Sequence, residues 1–137
     1  MRPVSALTSA DGSTTKMALE LRDKHRVEVV VMRHDSRTTV CISSQVGCQM
    51  GCKFCATGTM PTVSDLDEAE IVEQLLHAHA LEAGAGRPPV RNAVFMGMGE
   101  PLNNYDAVLG ALRTMTDMSW LGQYALPQRC VTVSTVG

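Results

Sequence analysis

Val90-Arg91-Asn92-Ala93-Val94-Phe95-Met96-Gly97-Met98-Gly99-Glu100-Pro101 reads as a buried strand running into a glycine-rich turn. A helical pattern flanks it on each side. Upstream, Leu66, Ala69, Val72, Leu75, Leu76 and Ala80 recur at helical spacing. Ser64 opens that segment, Asp67 takes the capping-box position, and Gly84 or Gly86 closes it. Downstream, Asn103 or Asn104 caps a helix to about Met118 with Val108, Ala111, Leu112 and Met115 on one face. Arg129 to Thr135 is a further β-branched strand. This alternation predicts an α/β fold with a parallel sheet and right-handed crossovers. In parallel barrels the chemistry gathers at the C-terminal ends of the strands, so the turn at Gly97–Pro101 is a candidate site.

The stretch before it reads differently. Met17–Leu21, Val27–Met32 and Thr38–Ser43 alternate or are β-branched, with turns at Arg22–His25 and His34–Arg37. The chain therefore divides into a tail (1–15), a small antiparallel β segment (16–43) leading into the first parallel strand, and an α/β part (44–137).

Composition narrows the classes. The 137 residues, 45% hydrophobic and 19% charged, suit a globular chain with a core and not a disordered one. No run approaches the roughly 20 apolar residues of a membrane span. Met1–Thr15 holds one Arg and no apolar run, so it is not a secretory signal. Its Ser and Thr content keeps an organelle-targeting remnant (plastid or mitochondrion) as the alternative to a cytoplasmic protein. Net charge is −2, with 12 basic against 14 acidic residues, so no excess of Lys and Arg announces a nucleic-acid surface.

Five cysteines are an odd number, and three crowd into Cys48-Gln49-Met50-Gly51-Cys52-Lys53-Phe54-Cys55. Without a secretory signal, a metal or redox role is the better reading. Three thiolates on one tight loop suit three corners of a four-iron cluster, leaving the fourth iron open. Gly47 and Gly51 let the backbone close around it. The alternative is structural zinc with Cys41, Cys130 or a His as fourth ligand; the spacing favours the cluster.

The other candidates have ordinary readings on residue type alone. Glu28 is an outward-facing acid on a strand, Cys41 a small buried residue, Ser134 a strand residue, and Gly99-Glu100 a common turn. Cys130 reads as core. His77 and His79, two apart on a helix, point apart and suit a metal poorly.

The triplet with Phe54 resembles the cluster motif of the radical S-adenosylmethionine (SAM) superfamily. Cys41-Ile42-Ser43-Ser44-Gln45-Val46-Gly47-Cys48, Phe95-Met96-Gly97-Met98-Gly99-Glu100-Pro101-Leu102 and Val131-Thr132-Val133-Ser134-Thr135-Val136-Gly137, in this order, resemble the RlmN/Cfr family of RNA methyltransferases. The resemblance covers roughly Asp11 to Gly137. It implies an incomplete (β/α) radical SAM barrel preceded by the antiparallel segment, with 44–137 as the N-terminal half of the core.

The resemblance also implies roles. Cys48, Cys52 and Cys55 match the ligands of a 4Fe-4S cluster, whose open iron SAM would chelate. Gly99 and Glu100 match the turn that holds SAM, and Ser134 a hydroxyl near the cofactor. Glu28 matches the proton acceptor and Cys41 a second thiol used in the closing steps. An adenine carbon is a poor nucleophile, and radical chemistry supplies the missing reactivity. The implied activity is methylation of adenine C2 in large-subunit ribosomal RNA, with transfer RNA as a second substrate, an electron donor for the cluster, and a monomeric state with no membrane partner. The methyl-carrying Cys of the family would fall beyond Gly137, so the 137-residue form is expected to be inactive alone. Rival readings are another radical SAM reaction and a non-catalytic zinc or iron–sulfur module.

Overall fold

A computed structural model describes residues 1–35, 37–46 and 64–135. Among them, strands β1 (Arg2–Thr8), β2 (Thr14–Glu20), β3 (Arg26–Arg33), β4 (Thr38–Cys41), β7 (Asn92–Phe95) and β8 (Val131–Val133) form one sheet in the order β1-β2-β3-β4-β7-β8. Two short strands, β5 (Gln45–Val46) and β6 (Ser64–Asp65), pair separately. The helices are α1 (Glu68–Gly84), α2 (Tyr105–Met115) and the single turn α3 (Met118–Leu121).

The sheet changes character at β4. The β1–β2, β2–β3 and β3–β4 pairs are antiparallel, whereas β4–β7 and β7–β8 are parallel, each joined through a helix. This is the antiparallel-then-parallel order expected from the alternation of patterns.

Residues read as a tail instead supply an edge strand. Arg2–Thr8 pairs with β2 throughout, with an irregularity between Pro3 and Ser5 where proline has no N–H to give the ladder. Almost every β1 residue is exposed, so the strand carries no apolar alternation to be read.

One face of the sheet is dry. Val27, Val29, Val31, Val40, Ile42, Ala93 and Phe95 pack with Ile71, Leu75 and Ala78 of α1 and Val108, Ala111 and Met115 of α2. The opposite face, with Glu28, Val30, Cys41, Val94 and Thr132, is half-buried or exposed.

Helix α1 departs from its predicted face. Ser64 lies in β6, and Asp67 is the N-cap of a complete capping box with Glu70. Leu76 and Ala80 face solvent, while Gln74, His79 and Glu82 are buried. Each buried polar group has partners. Glu82 takes a two-pronged bond from Arg33 (2.6–3.1 Å) and a second from Arg87 (3.0 and 3.3 Å). Burial alone would raise the Glu82 carboxyl, but the bonds from Arg33 and then Arg87 outweigh it and hold the pKa below the usual range. His79 accepts from Val90 N at Nδ1, which leaves Nε2–H to donate to the Tyr124 carbonyl, each at 3.2 Å. Cys130, read as core, is only half-buried at the start of β8.

No helix among the described residues is long and apolar enough to cross a membrane.

Candidate functional site at the strand ends

The chain leaves β4 and β7 side by side, because the two strands are parallel, and their exit loops are bonded together. Ile42 N donates to Val94 O (2.8 Å) and Gly97 N to Ile42 O (3.1 Å), carrying the ladder past the strand ends. Ser44 N and Gln45 N then both donate to Met98 O, at 2.9 and 3.3 Å. Two glycines make this approach possible. A Cβ on Gly97 would lie 2.6 Å from Ser43 Oγ and 2.9 Å from Ile42 O. A Cβ on Gly99, whose φ is +97°, would lie 2.7 Å from both Cβ and N of Gln45. The bare Cα of Gly99 is therefore used to seat Gln45.

Ser43 is the centre of the junction and is fully buried. Its hydroxyl donates to Glu28 O (3.1 Å) and accepts from Met98 N (2.8 Å), joining β3 to the glycine turn. Its backbone N–H and C=O are both taken by the Gln74 amide of α1, each at 2.8 Å. Next in the chain, Ser44 Oγ is buried with no hydrogen-bond partner among the described residues. Asn104, the N-cap of α2, makes no side-chain cap bond; its amide donates to Ser44 O (2.8 Å) and Leu66 O (2.7 Å).

Gln45 extends the junction outward. Its Oε1 accepts from Glu100 N (2.9 Å) and its Nε2 donates to Asp65 Oδ1 (2.6 Å). Glu100 is 5% exposed, and its Oε1 accepts from Leu102 N (3.0 Å) and from the Thr135 hydroxyl just past β8. A carboxylate is thus held at the ends of two adjacent parallel strands.

The expected site residues fall into three groups. Gly99 and Glu100 form the turn just described, and Ser134 lies exposed directly after β8, beside the Thr135 that reaches Glu100. Glu28 and Cys41 share the open face: Val30 pairs with Cys41, so Glu28 is level with Ser43. Glu28 is exposed and sits 3.1 Å from Lys16 Nζ. Cys41 is half-buried; burial pushes its thiol pKa up, against a smaller lowering from the Met96 backbone N–H. The third group, Cys48, Cys52 and Cys55, lies outside the described residues. Among the described residues no cluster of three His, Cys, Asp or Glu side chains could hold a metal ion.

Residue-type reasoning misses Ser43, Gln45, Asp65, Gln74, Asn104 and Thr135. The first two stand inside the quoted Cys41–Cys48 string, where the cysteines carry the recognisable chemistry.

No protein-family model matches the chain. Individual relatives do. The chain is 49% identical over 139 residues to "Probable dual-specificity RNA methyltransferase RlmN" of Frankia casuarinae, covering 98% of this chain and 33% of that protein. It is 42% identical over 143 residues to "Ribosomal RNA large subunit methyltransferase N" of Nitrosopumilus maritimus, covering 99% of this chain and 40% of that protein. A solved structure of a radical SAM methyltransferase from Sphaerobacter thermophilus superposes with a TM-score of 0.91 at 40% identity, over 98% of this chain and 38% of its own. The resemblance read from the motifs therefore holds along essentially the whole chain. The chain spans about a third of the length of the curated relatives it matches.

Proposed function

We propose that this chain is the cofactor-binding part of a radical SAM methyltransferase that methylates adenine C2 in large-subunit ribosomal RNA and in transfer RNA, and that its sheet is part of a (β/α) barrel. The observation that carries the reading is the junction of the Ile42–Gln45 strand end with the Gly97–Glu100 turn, in a chain 49% identical to an RlmN-named protein. The donor set suits SAM. Glu100 is a carboxylate anchored on two donors, able to accept from an ammonium group, and the Ser134 hydroxyl follows the next parallel strand.

In this reading Cys48, Cys52 and Cys55 would hold a 4Fe-4S cluster, with Glu100 and Ser134 contacting SAM. When bound, cluster and SAM supply radical chemistry at an adenine carbon that ordinary methyl transfer does not reach. Glu28 takes the ring proton as base; its exposure lets a large substrate approach, with Lys16 beside it in an exposed ion pair. Cys41 serves as the resolving thiol. It is half-buried on the same open face as Glu28. The protein acts as a cytoplasmic monomer supplied by a reducing partner.

Mass spectrometry of adenines in RNA from cells lacking the full-length gene tests the substrate. Loss of 2-methyladenosine from ribosomal and transfer RNA is the expected result; unchanged methyladenosine content overturns it.

A further inference from the structure

Gln45 is nine-tenths buried yet spends both ends of its amide outside its own strand pair's backbone ladder. One end accepts from Glu100 N and the other donates to Asp65, the residue it faces across the β5–β6 pair. Its Cβ occupies the space that a Gly99 side chain would need. Three constraints thus converge on the Gly99–Glu100 peptide: the missing Cβ, the bond to Glu100 N, and the anchoring of the amide by Asp65. A hydrophobic residue of the same size would fill the space and leave the Glu100 amide without its acceptor.

We infer that Gln45 is a positioning residue: braced by Asp65, it fixes the Gly99–Glu100 turn in the orientation in which the Glu100 carboxylate receives the SAM ammonium group. The inference rests on the proposed SAM reading. Asp65 makes the amide orientation unique, because a carboxylate can only accept; Gln45 must present Nε2 to it and Oε1 to Glu100 N. The device therefore needs an acid–amide pair, and exchanging the two chemistries should preserve it. In Q45E/D65N the new carboxylate still accepts from Glu100 N and now also accepts from the carboxamide introduced at position 65. In Q45E alone, two carboxylates face each other where 2.6 Å now separates the bonded atoms.

The test uses the 137-residue chain with its cluster reconstituted anaerobically, and SAM as the probe. It compares wild type, Q45L, Q45E, Q45E/D65N and, as a control that weakens the fold away from the site, E82Q. Amide exchange at Glu100 is followed by NMR without SAM, and the SAM dissociation constant is measured where every variant is folded by circular dichroism. Q45L removes the acceptor of Glu100 N, and Q45E turns the brace by Asp65 into a repulsion that pushes the side chain off Glu100 N. Each should speed that exchange about tenfold and weaken SAM binding about tenfold. Q45E/D65N should return both to near wild type, and E82Q should leave SAM affinity unchanged. Wild-type exchange and affinity in Q45L overturn the inference. So does a loss of affinity in E82Q equal to that in Q45L, which reduces Gln45 to a stability role. A wild-type chain that ignores SAM overturns the SAM reading itself, and the exchange rates then decide the Gln45–Glu100 link on their own.

Discussion

Replacing Gln74 by Leu should cost far more than its place on a helix suggests. Gln74 is fully buried, and its amide is the partner of both Ser43 N and Ser43 O at 2.8 Å. Leucine fills a similar volume but leaves two buried backbone groups without partners, each costing about 1–3 kcal/mol. The added apolar burial returns roughly 1–2 kcal/mol. With central values the net loss is about 2–3 kcal/mol, or a fall in melting temperature of roughly 6–9 °C for a domain of this size. Urea unfolding checks this: the midpoint should fall while the slope stays constant, since the same surface is exposed on unfolding. Gln74→Glu sharpens the test. Its ionised form turns a carboxylate oxygen onto Ser43 O, whereas its protonated form restores the donor. The folded-state pKa of the new carboxyl is thus raised. Its stabilising contribution should be present below the ordinary glutamate value of about 4.3 and disappear as pH rises through the folded value. A Leu variant within about 0.5 kcal/mol of wild type, or a Glu variant with no such pH dependence, refutes the reasoning.

Other consequences follow from the same packing. Glu82→Gln should destabilise the fold by about 3 kcal/mol or more, because it leaves the nearly buried Arg33 short of its counter-charge; calorimetry measures this. In wild type the lowered Glu82 pKa makes the opposite pH case: its contribution is full above the ordinary glutamate value and is lost as acid titrates the folded carboxylate below it. Ser44→Ala should be neutral or slightly stabilising in thermal melts, since the buried hydroxyl it removes has no partner among the described residues. A loss above about 1 kcal/mol would reveal a bond that this geometry does not contain. Cys52→Ala should abolish iron binding while Cys130→Ala leaves it intact, by iron analysis; equal loss in both would mean the wrong ligands have been chosen.

Much of the sheet is legible because burial on one face imposes a period. Val27, Val29 and Val31 alternate with exposed or half-exposed neighbours, and the strand–helix repeat from β4 to β8 announces parallel pairing. Strand β1 is not legible, because an exposed edge strand needs no apolar pattern. The buried face of α1 is misread for a different reason. Three of its buried positions are Gln74, His79 and Glu82, whose burial is stabilised by partners from other elements. At the candidate site, Gly99 and Glu100 are visible as a turn. Their supports are not: Ser43 meets Gln74 across 31 residues, and Gln45 meets Glu100 across 55. Hydrogen bonds over such separations leave no local spacing to count. Gly99 is matched to a cofactor-holding turn only through the resemblance; what the structure adds is that its bare Cα also seats Gln45.

The most direct measurement is electron paramagnetic resonance of the anaerobically reconstituted, reduced chain with and without SAM. A four-iron signal whose shape changes when SAM is added is the expected result. A colourless zinc protein, or a cluster signal that SAM leaves untouched, contradicts the claim that Cys48, Cys52 and Cys55 leave one iron open to the cofactor.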